Sequence, residues 1–340
     1  MTTPPTPPPA NPLLDRAPTD TTLPVIVLAG GPDRERSVSL QSGQQVAHAL
    51  TTAGFHTLLR DATPDNLSAL DEAATLNATL FPVLHGPWGE GGPLQHELET
   101  RNLTFVGSGS AAARLGMDKL ATKQALRDAG LPTPDFQQLT PGDPLTLEPP
   151  LVLKPLAEGS SFGVIICHDR AAIETARDKL HPEFGSLLAE RFIAGKEITA
   201  GVLSRAHKAH ALPLIWIRLI AEFYDFEAKY EREDTQYDLD PLPPKQADDL
   251  QKLAIQTHQL IGAQHLSRVD FILAEEGPQI LEINTLPGFT SHSLLPKAAA
   301  HAGLSFPELT AWLVAAAQNE TQYPPNIPCG PPALCADPRP

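Results

Sequence analysis

Two short segments in the last quarter of the chain set acids, an amide and a guanidinium at strand spacing. In RVDF, Arg268 and Asp270 are two apart, and in QILEIN so are Glu282 and Asn284. Side chains alternate between the faces of a strand, so each pair shares a face, and AEEGP between the segments is a hairpin signal. One face of that hairpin would carry Asp270, Glu282 and Asn284. Three oxygen donors on rigid strands suit a hard cation such as Mg²⁺, which takes one or two carboxylates plus water and phosphate oxygens. A solvated sheet face with a salt bridge to Arg268 fits the same spacing.

LVLKP brings Lys154 out of an apolar strand into the small loop EGSSFG, Glu158 to Gly163. A point charge beside backbone N–H groups is what a polyphosphate needs. The loop lacks the Gly-Lys-Ser/Thr ending of a P-loop, and a glycine-rich hairpin without a ligand is the alternative. Lys119, at the start of a helical pattern, is a weaker cation of the same kind. In LLAERFIAGKEITA, Glu190 and Glu197 flank an apolar segment. A planar base could lie there against Phe192, with backbone groups near Ile193 and a carboxylate reading its edge and a sugar hydroxyl. Taken singly, salt-bridged surface glutamates would look the same.

Strands and turns must hold these residues. Residues 24–29, PVIVLA, form an apolar, β-branched run ending at Gly30 and Gly31, as a buried strand entering a turn does. Leu40, Gly43, Val46, Ala47 and Leu50 then recur at three- and four-residue steps, the pattern of a helix with one packed face. FHTLL, TLFPVLHG and TFVGSG read as further strands. Alternating strands and helices over residues 24–107 predict a parallel sheet with ligands at the carboxyl ends of its strands, where Glu35 and His85 sit. A helix is expected from Met117 to Ala129, stopped by Gly130, Pro132 and Pro134. LVLKP, VIIC, LLAERFI and EITAGVL follow as short strands of a small α+β module, with one helix near residues 170–180. The last helix opens on Ser305 and Glu308 at capping-box spacing. Residues 222–244 are long for a loop and rich in charge and Tyr, the mark of a functional loop.

The 340 residues are 41% apolar and 19% charged, which is enough for about two or three domains with real cores. With 25 Lys and Arg against 40 Asp and Glu, the formal charge is −15. No basic stripe is available for nucleic acid or a membrane surface, so an anionic substrate must meet a few local cations. Fifteen of the 36 prolines lie in residues 1–24 and 319–340, which read as extended or disordered tails. MTTPPTPPPANPLL has no basic n-region and no apolar stretch of signal-peptide length. Nothing later approaches about 18 uninterrupted apolar residues, so a cytoplasmic protein is expected. Cys167 in VIIC is expected as a core thiol. Cys329 and Cys335 fall in the tail, and no Cys or His spacing suggests a metal site.

Taken in order, GGPDRERSVSL, LHGPWGEGG, GSGSAAARLGMDKLATK, VLKPLAEGSSFGV, YDFEAKYEREDTQY, RVDF and EINTLPGFTSHSLLP resemble the D-alanine:D-alanine ligases of the ATP-grasp superfamily, over residues 24–318. EINTLPGFTSHSLLP and EAKYEREDTQY are specific to this branch, whereas the Lys, Glu and Asn pattern is common to many ATP-grasp enzymes. The resemblance implies a three-domain α/β ligase, with an N-terminal parallel α/β sheet domain plus two α+β domains clasping ATP. Its domains would be residues 24–107 for substrate, 108–205 as the central ATP-grasp domain and 206–318 as the C-terminal catalytic domain, between Pro-rich tails at 1–23 and 319–340. The implied reaction joins two D-alanine molecules through an acyl phosphate, releasing ADP and phosphate, for peptidoglycan precursors. The implied partners are ATP, D-alanine and two Mg²⁺, with Mn²⁺ as a substitute, in a homodimer that binds neither nucleic acid nor membrane.

Residue by residue, the resemblance assigns Lys119, Lys154 and Lys229 to the ATP phosphates, with Glu158, Ser160 and Ser161 in the adjoining loop. Glu190, the Ile193 backbone and Glu197 would surround adenine and ribose, and Asp270, Glu282 and Asn284 would hold Mg²⁺. Glu35 would take the ammonium of the first D-alanine, with His85 beside it. Arg268 and the Gly288 N–H would stabilise the tetrahedral intermediate, while Ser293 and the Leu294 N–H bind the second carboxylate; Ser291 and His292 are scaffold. Tyr230 is similar to a family Tyr that hydrogen-bonds with the Glu35 and Ser160 counterparts, and it favours D-alanine as acceptor. Residues 222–244 would close over the site and exclude water. D-Lactate or D-serine as acceptor is one alternative, and a nucleotide-binding regulatory protein that has lost catalysis is another. The family's Glu-Asp-Gly reads Glu90, Gly91, Gly92 here, Ser37 replaces an acid, and Pro87 and Trp88 make their loop unusual, at an expected cost to packing or loop rigidity. Removing residues 1–20 and 321–340 is expected to leave the rate of phosphate release intact, and a large loss on trimming would show that the ends contribute.

Overall fold

The computed structural model describes residues 20–206, 208–218 and 236–320. Both tails, with Cys329 and Cys335, and most of the 222–244 segment lie outside the described residues. Strand β1 (Val25–Gly30) is buried along its whole length, as a strand covered on both faces must be. It lies between β2 (Thr57–Ala62) and β3 (Thr79–Pro82) in the expected parallel sheet. Helix α1 (Arg36–Thr52) covers one face with Val46 and Leu50, while α2 (Ser68–Leu76) and, beyond the short α3 (Gly86–Gly89), α4 (Pro93–Thr100) cover the other with Leu70, Leu94 and Leu98. The turn out of β1 requires Gly30, whose φ is +100° and where a Cβ would lie 2.1 Å from Oδ1 of Asp61. TFVGSG differs from expectation, because it adds only one parallel bridge, Leu80 to Phe105, before Gly107 at φ +111° turns the chain away.

The single helix expected from Met117 to Ala129 is two, α5 (Ser110–Met117) and α6 (Lys119–Asp128). Asp118 leaves helical geometry between them and caps α6, its carboxylate accepting the Ala121 N–H at 3.0 Å. Both helices pack on the C-terminal sheet, where Ala112 and Leu126 share a core with Val269, Phe271, Ile280 and Ile283. Strands β4 (Phe136–Leu139), β5 (Leu151–Pro155), β6 (Ile165–Cys167) and β7 (Leu187–Arg191) form an antiparallel sheet in the order β4-β7-β5-β6. With α7 (Arg170–Phe184) it encloses a small separate core around Leu151, Leu153, Ile173, Leu180 and the buried Cys167 thiol.

Strands β8 (Lys196–Arg205), β9 (Lys208–Ala211), β10 (Ile215–Arg218), β11 (Gln236–Leu239), β12 (Leu266–Ala274) and β13 (Gly277–Asn284) make a second antiparallel sheet. Its order is β11-β10-β8-β12-β13, with β9 on β8. EITAGVL is therefore an inner strand of the C-terminal sheet rather than part of the preceding module, and the boundary expected at 205 falls at that strand's end. Helix α8 (Pro244–Ile261) packs on this sheet, α9 (Leu294–His301) lies near β8, and α10 (Phe306–Asn319) begins with the expected capping box. Leu309, Trp312 and Leu313 of α10 return to the first unit and share its core with Val25, Val27 and Phe81. No helix among the described residues is long and apolar enough to cross a membrane.

His258 of α8 is buried between two hydroxyls, its Nδ1 2.7 Å from Ser267 Oγ and its Nε2 2.9 Å from Ser204 Oγ. Burial, and then the neighbouring His265, pull its pKa down to about 4. Below about pH 6.5 the unfolded chain takes up the proton and the folded one does not, so stability is unaffected at pH 7.5 and falls as pH drops from 6.5 towards 4, by about 3 kcal/mol at the limit. His258→Gln should flatten that slope when urea midpoints are compared at pH 7.5 and 5; equal slopes in both proteins would clear His258.

Candidate active site

The hairpin forms as its spacing requires. Arg268 stands opposite Asn284 and Asp270 opposite Glu282, with the register shifting just after Asp270. Asp270 is gripped by the Arg268 fork, Nε to Oδ1 at 2.9 Å and Nη2 to Oδ2 at 2.8 Å. Thr199 Oγ1 on β8 donates to Oδ1 at 2.6 Å and Asn284 Nδ2 to Oδ2 at 3.2 Å. The salt bridge weighed against a metal is thus present. Among the described residues no group of three or more His, Cys, Asp and Glu side chains is arranged for a metal. Asp270 and Glu282, as cross-strand partners, nevertheless present two carboxylates to one face with the Asn284 amide beside them, a hard-oxygen donor set that fits Mg²⁺.

A cavity of about 470 Å³ lies between the two antiparallel sheets. Val152, Ile166, Phe192, Trp216 and Ile272 supply apolar walls, and Lys119, Lys154, Glu197, Arg268, Asp270 and Glu282 supply charge. Ile193 also lines the cavity. Lys119 opens α6, and its Nζ donates to the Glu158 carbonyl at 2.6 Å and lies 3.7 Å from Glu282 Oε2. Glu190 lines the cavity too, but it is buried, with one carboxylate oxygen on Lys123 Nζ and the other on Lys154 Nζ. Burial alone would raise its pKa, but the two lysines outweigh that and hold it below the usual carboxylate value.

The N-terminal unit meets the rim of the cavity at the Ser160 loop through Glu35, at the turn between β1 and α1. Ser160 Oγ donates to Glu35, from a loop in which Ser160 and Ser161 both take left-handed φ, 49° and 58°. Buried Ser39 accepts the Gly30 N–H at 2.9 Å and donates to the Val83 carbonyl at 2.7 Å, which sets the carboxyl ends of β1 and β3 side by side and brings His85 near Glu35. His85 is buried, with Nδ1 3.9 Å from Glu90 and no hydrogen-bond partner for Nε2 among the described residues. Burial opposes its charge, but Glu90 and then Glu35 overcome it and leave the imidazole pKa raised. Glu90 also accepts the Gly86 N–H at 3.0 Å. A Cβ at Gly91 would lie 2.4 Å from the Pro87 carbonyl oxygen, so the family's acid does not fit this loop without a backbone shift, and Ser37 is exposed.

Ser293 stands just before the first residue of α9 without a side-chain capping bond, and its Oγ accepts the Thr290 N–H at 3.0 Å. A side chain at Gly288 would touch that Oγ at 3.4 Å, so the Gly288 backbone and Ser293 are neighbours, and Leu294 lines the cavity. Phe289 fixes this segment by ring contacts to Phe81 and Phe306, with centroids 5.5 and 5.6 Å away. Ser291 and His292 are exposed, and the Ser291 N–H donates to Gln45 Oε1. Lys229 and Tyr230 lie outside the described residues. Sequence reasoning passed over Lys123, Thr199, Ser39 and the placing of Glu90 against His85. Only Lys123 had a local signal, one helical turn after Lys119.

Comparison with known proteins bears on the whole arrangement. A family model described as the D-ala D-ala ligase C-terminus matches residues 125–315. The D-alanine–D-alanine ligase of Hydrogenovibrio crunogenus is 39% identical over 298 residues, covering 85% of this chain and 93% of that protein. That of Neisseria gonorrhoeae is 40% identical over 301 residues, covering 86% and 97%. Among solved structures, the D-alanine–D-alanine ligase from Bacillus anthracis complexed with ATP aligns with a TM-score of 0.74 at 27% identity, covering 87% of this chain and 97% of that one. The family model takes in both antiparallel sheets and the relatives are covered almost end to end: the chain belongs to the D-alanine–D-alanine ligase family.

Proposed function

We propose that this enzyme joins two D-alanine molecules into D-alanyl-D-alanine with ATP, through an acyl phosphate, releasing ADP and phosphate for peptidoglycan precursor synthesis. The observation that carries the reading is the cavity between the sheets, apolar at Phe192 and Trp216, charged at Lys119, Lys154, Arg268, Asp270 and Glu282, and bordered by the Ser160 loop that holds Glu35. Adenine would lie against the apolar walls with Glu197 at the ribose, and the phosphates would run towards Lys119, Lys154 and the loop of Glu158, Ser160 and Ser161. Asp270, Glu282 and Asn284 would hold Mg²⁺, two ions in this reading, which supplies charge neutralisation of the nucleotide.

Glu35 would orient the first D-alanine through its ammonium, leaving its carboxylate to attack the γ-phosphorus. His85, buried beside Glu35 and Glu90, fixes the floor of that subsite. The amine of the second D-alanine, its carboxylate held at Ser293 and the Leu294 N–H, then attacks the acyl carbon. Charge builds on the carbonyl oxygen, and Arg268 with the Gly288 N–H would receive it before phosphate departs. Lys229 and Tyr230 are proposed to complete the phosphate and acceptor subsites. The cytoplasm, where ATP is available, and a homodimer are the proposed setting. The working division is a substrate unit to residue 107, a central ATP-grasp unit from 108 and a C-terminal catalytic unit to 318, with β8 assigned to the last.

Purified protein with ATP, Mg²⁺ and D-alanine should release phosphate and yield a product of dipeptide mass across pH 6 to 9. Preference for D-lactate or D-serine near neutrality would displace D-alanine as acceptor, and ATP binding without phosphate release would remove the enzyme reading. Arg268→Ala should lower kcat by about 10² to 10³ while moving KM for ATP far less, because its work lies in the transition state; a raised KM with intact kcat would contradict that role. Glu282→Gln should raise the Mg²⁺ concentration needed for half-maximal rate, and an unchanged requirement would take it out of the ligand set.

A further inference from the structure

We infer that Lys123 is a positioning residue for ATP: it neutralises Glu190 from inside the protein, so that Lys154, on the other oxygen of the same carboxylate, keeps its charge for the nucleotide phosphates. The inference rests on the reading of Lys154 as a phosphate ligand. Lys123 is 1% exposed and does not line the cavity, whereas Lys154 does. Its Nζ bonds Glu190 Oε1, Thr133 Oγ1 at 2.9 Å and the Ile280 carbonyl at 3.2 Å, which uses all three donors of an ammonium. Those partners come from β7 of one sheet, β13 of the other and the segment between α6 and β4. Thr133 Oγ1 itself donates to the Ile280 carbonyl at 2.9 Å. The ammonium is therefore held by both sheets that bound the cavity.

Charge explains the arrangement. One carboxylate between two ammonium groups leaves one positive charge, and the only one of the two lysines facing the cavity is Lys154. Without Lys123, Glu190 and Lys154 would cancel as a closed pair, and a polyphosphate would have to pull the lysine from this counter-ion in a poorly solvated site. Burial draws the Lys123 pKa down to about 8, so the ammonium persists at neutral pH. A neutral residue filling the same volume would keep the packing but not this service.

The test measures the dissociation constant of Mg·ATP by calorimetry, with KM for D-alanine alongside, in Lys123→Met, Glu190→Gln, the double variant and Lys154→Met. Lys123→Met should weaken ATP about tenfold with KM for D-alanine little changed, and the double variant should recover to within about threefold of wild type, because an uncharged amide at position 190 no longer claims Lys154. Unchanged affinity in Lys123→Met, or a double variant as weak as the single one, would overturn the inference. If Lys123→Met does not fold, Lys123→Gln, which keeps a hydrogen-bonding group but no charge, carries the test: it should also weaken ATP about tenfold, and unchanged affinity would overturn the inference. Unchanged affinity in Lys154→Met would instead remove the phosphate reading beneath it.

Discussion

The pairing of β12 with β13 is the constraint on which the rest of the site depends. Asp270 faces Glu282 and Arg268 faces Asn284 only in this register, and a slip of β13 by one residue would send Glu282 and Asn284 to the other face. That other face is apolar, with Val269, Phe271 and Ile283 in a core shared with α5, α6 and α8, so a slip would also bury charge. On its far edge β12 pairs with β8 from Leu266 to Leu273, which brings Thr199 onto Asp270. Chemistry and stability are thus tied to one register, and the acids sit where the core dictates.

A protein of net charge −15 that holds a polyphosphate must do so with few cations. Here three cations at the cavity are matched with internal acids: Lys119 with Glu282, Lys154 with Glu190 and Arg268 with Asp270. The site is therefore a set of desolvated, directed pairs rather than a positive field, and its charges are strong because water is largely kept from them. Ser39 and Phe289 perform the matching mechanical task, bringing strand ends of the N-terminal unit and the Gly288–Ser293 segment to the same opening.

What was legible in the sequence was local. The two-residue period of RVDF and QILEIN, the apolar run of β1 and the Ser305–Glu308 box each carry their own geometry within a few residues. The break at Asp118 had a local sign too, a capping Asp, but the apolar pattern on both sides masked it. The rest depended on distant partners. EITAGVL reads equally well in either sheet, and only its pairing with β12, about 70 residues on, assigns it. TFVGSG has strand composition, yet its glycines end the pairing after one bridge. Lys123 looks like any helix-surface lysine until Glu190 is folded against it, and nothing near Glu190 in the sequence announces its two lysine partners.

In the proposed reaction the cavity activates a carboxylate by moving a phosphoryl group onto it and then lets an amine displace the phosphate. D-Alanine labelled with ¹⁸O in its carboxylate tests this directly. The phosphate released by the wild-type enzyme should carry one labelled oxygen for each dipeptide formed, because the carboxylate oxygen that takes the phosphoryl group leaves with it. Dipeptide formation with unlabelled phosphate would contradict it.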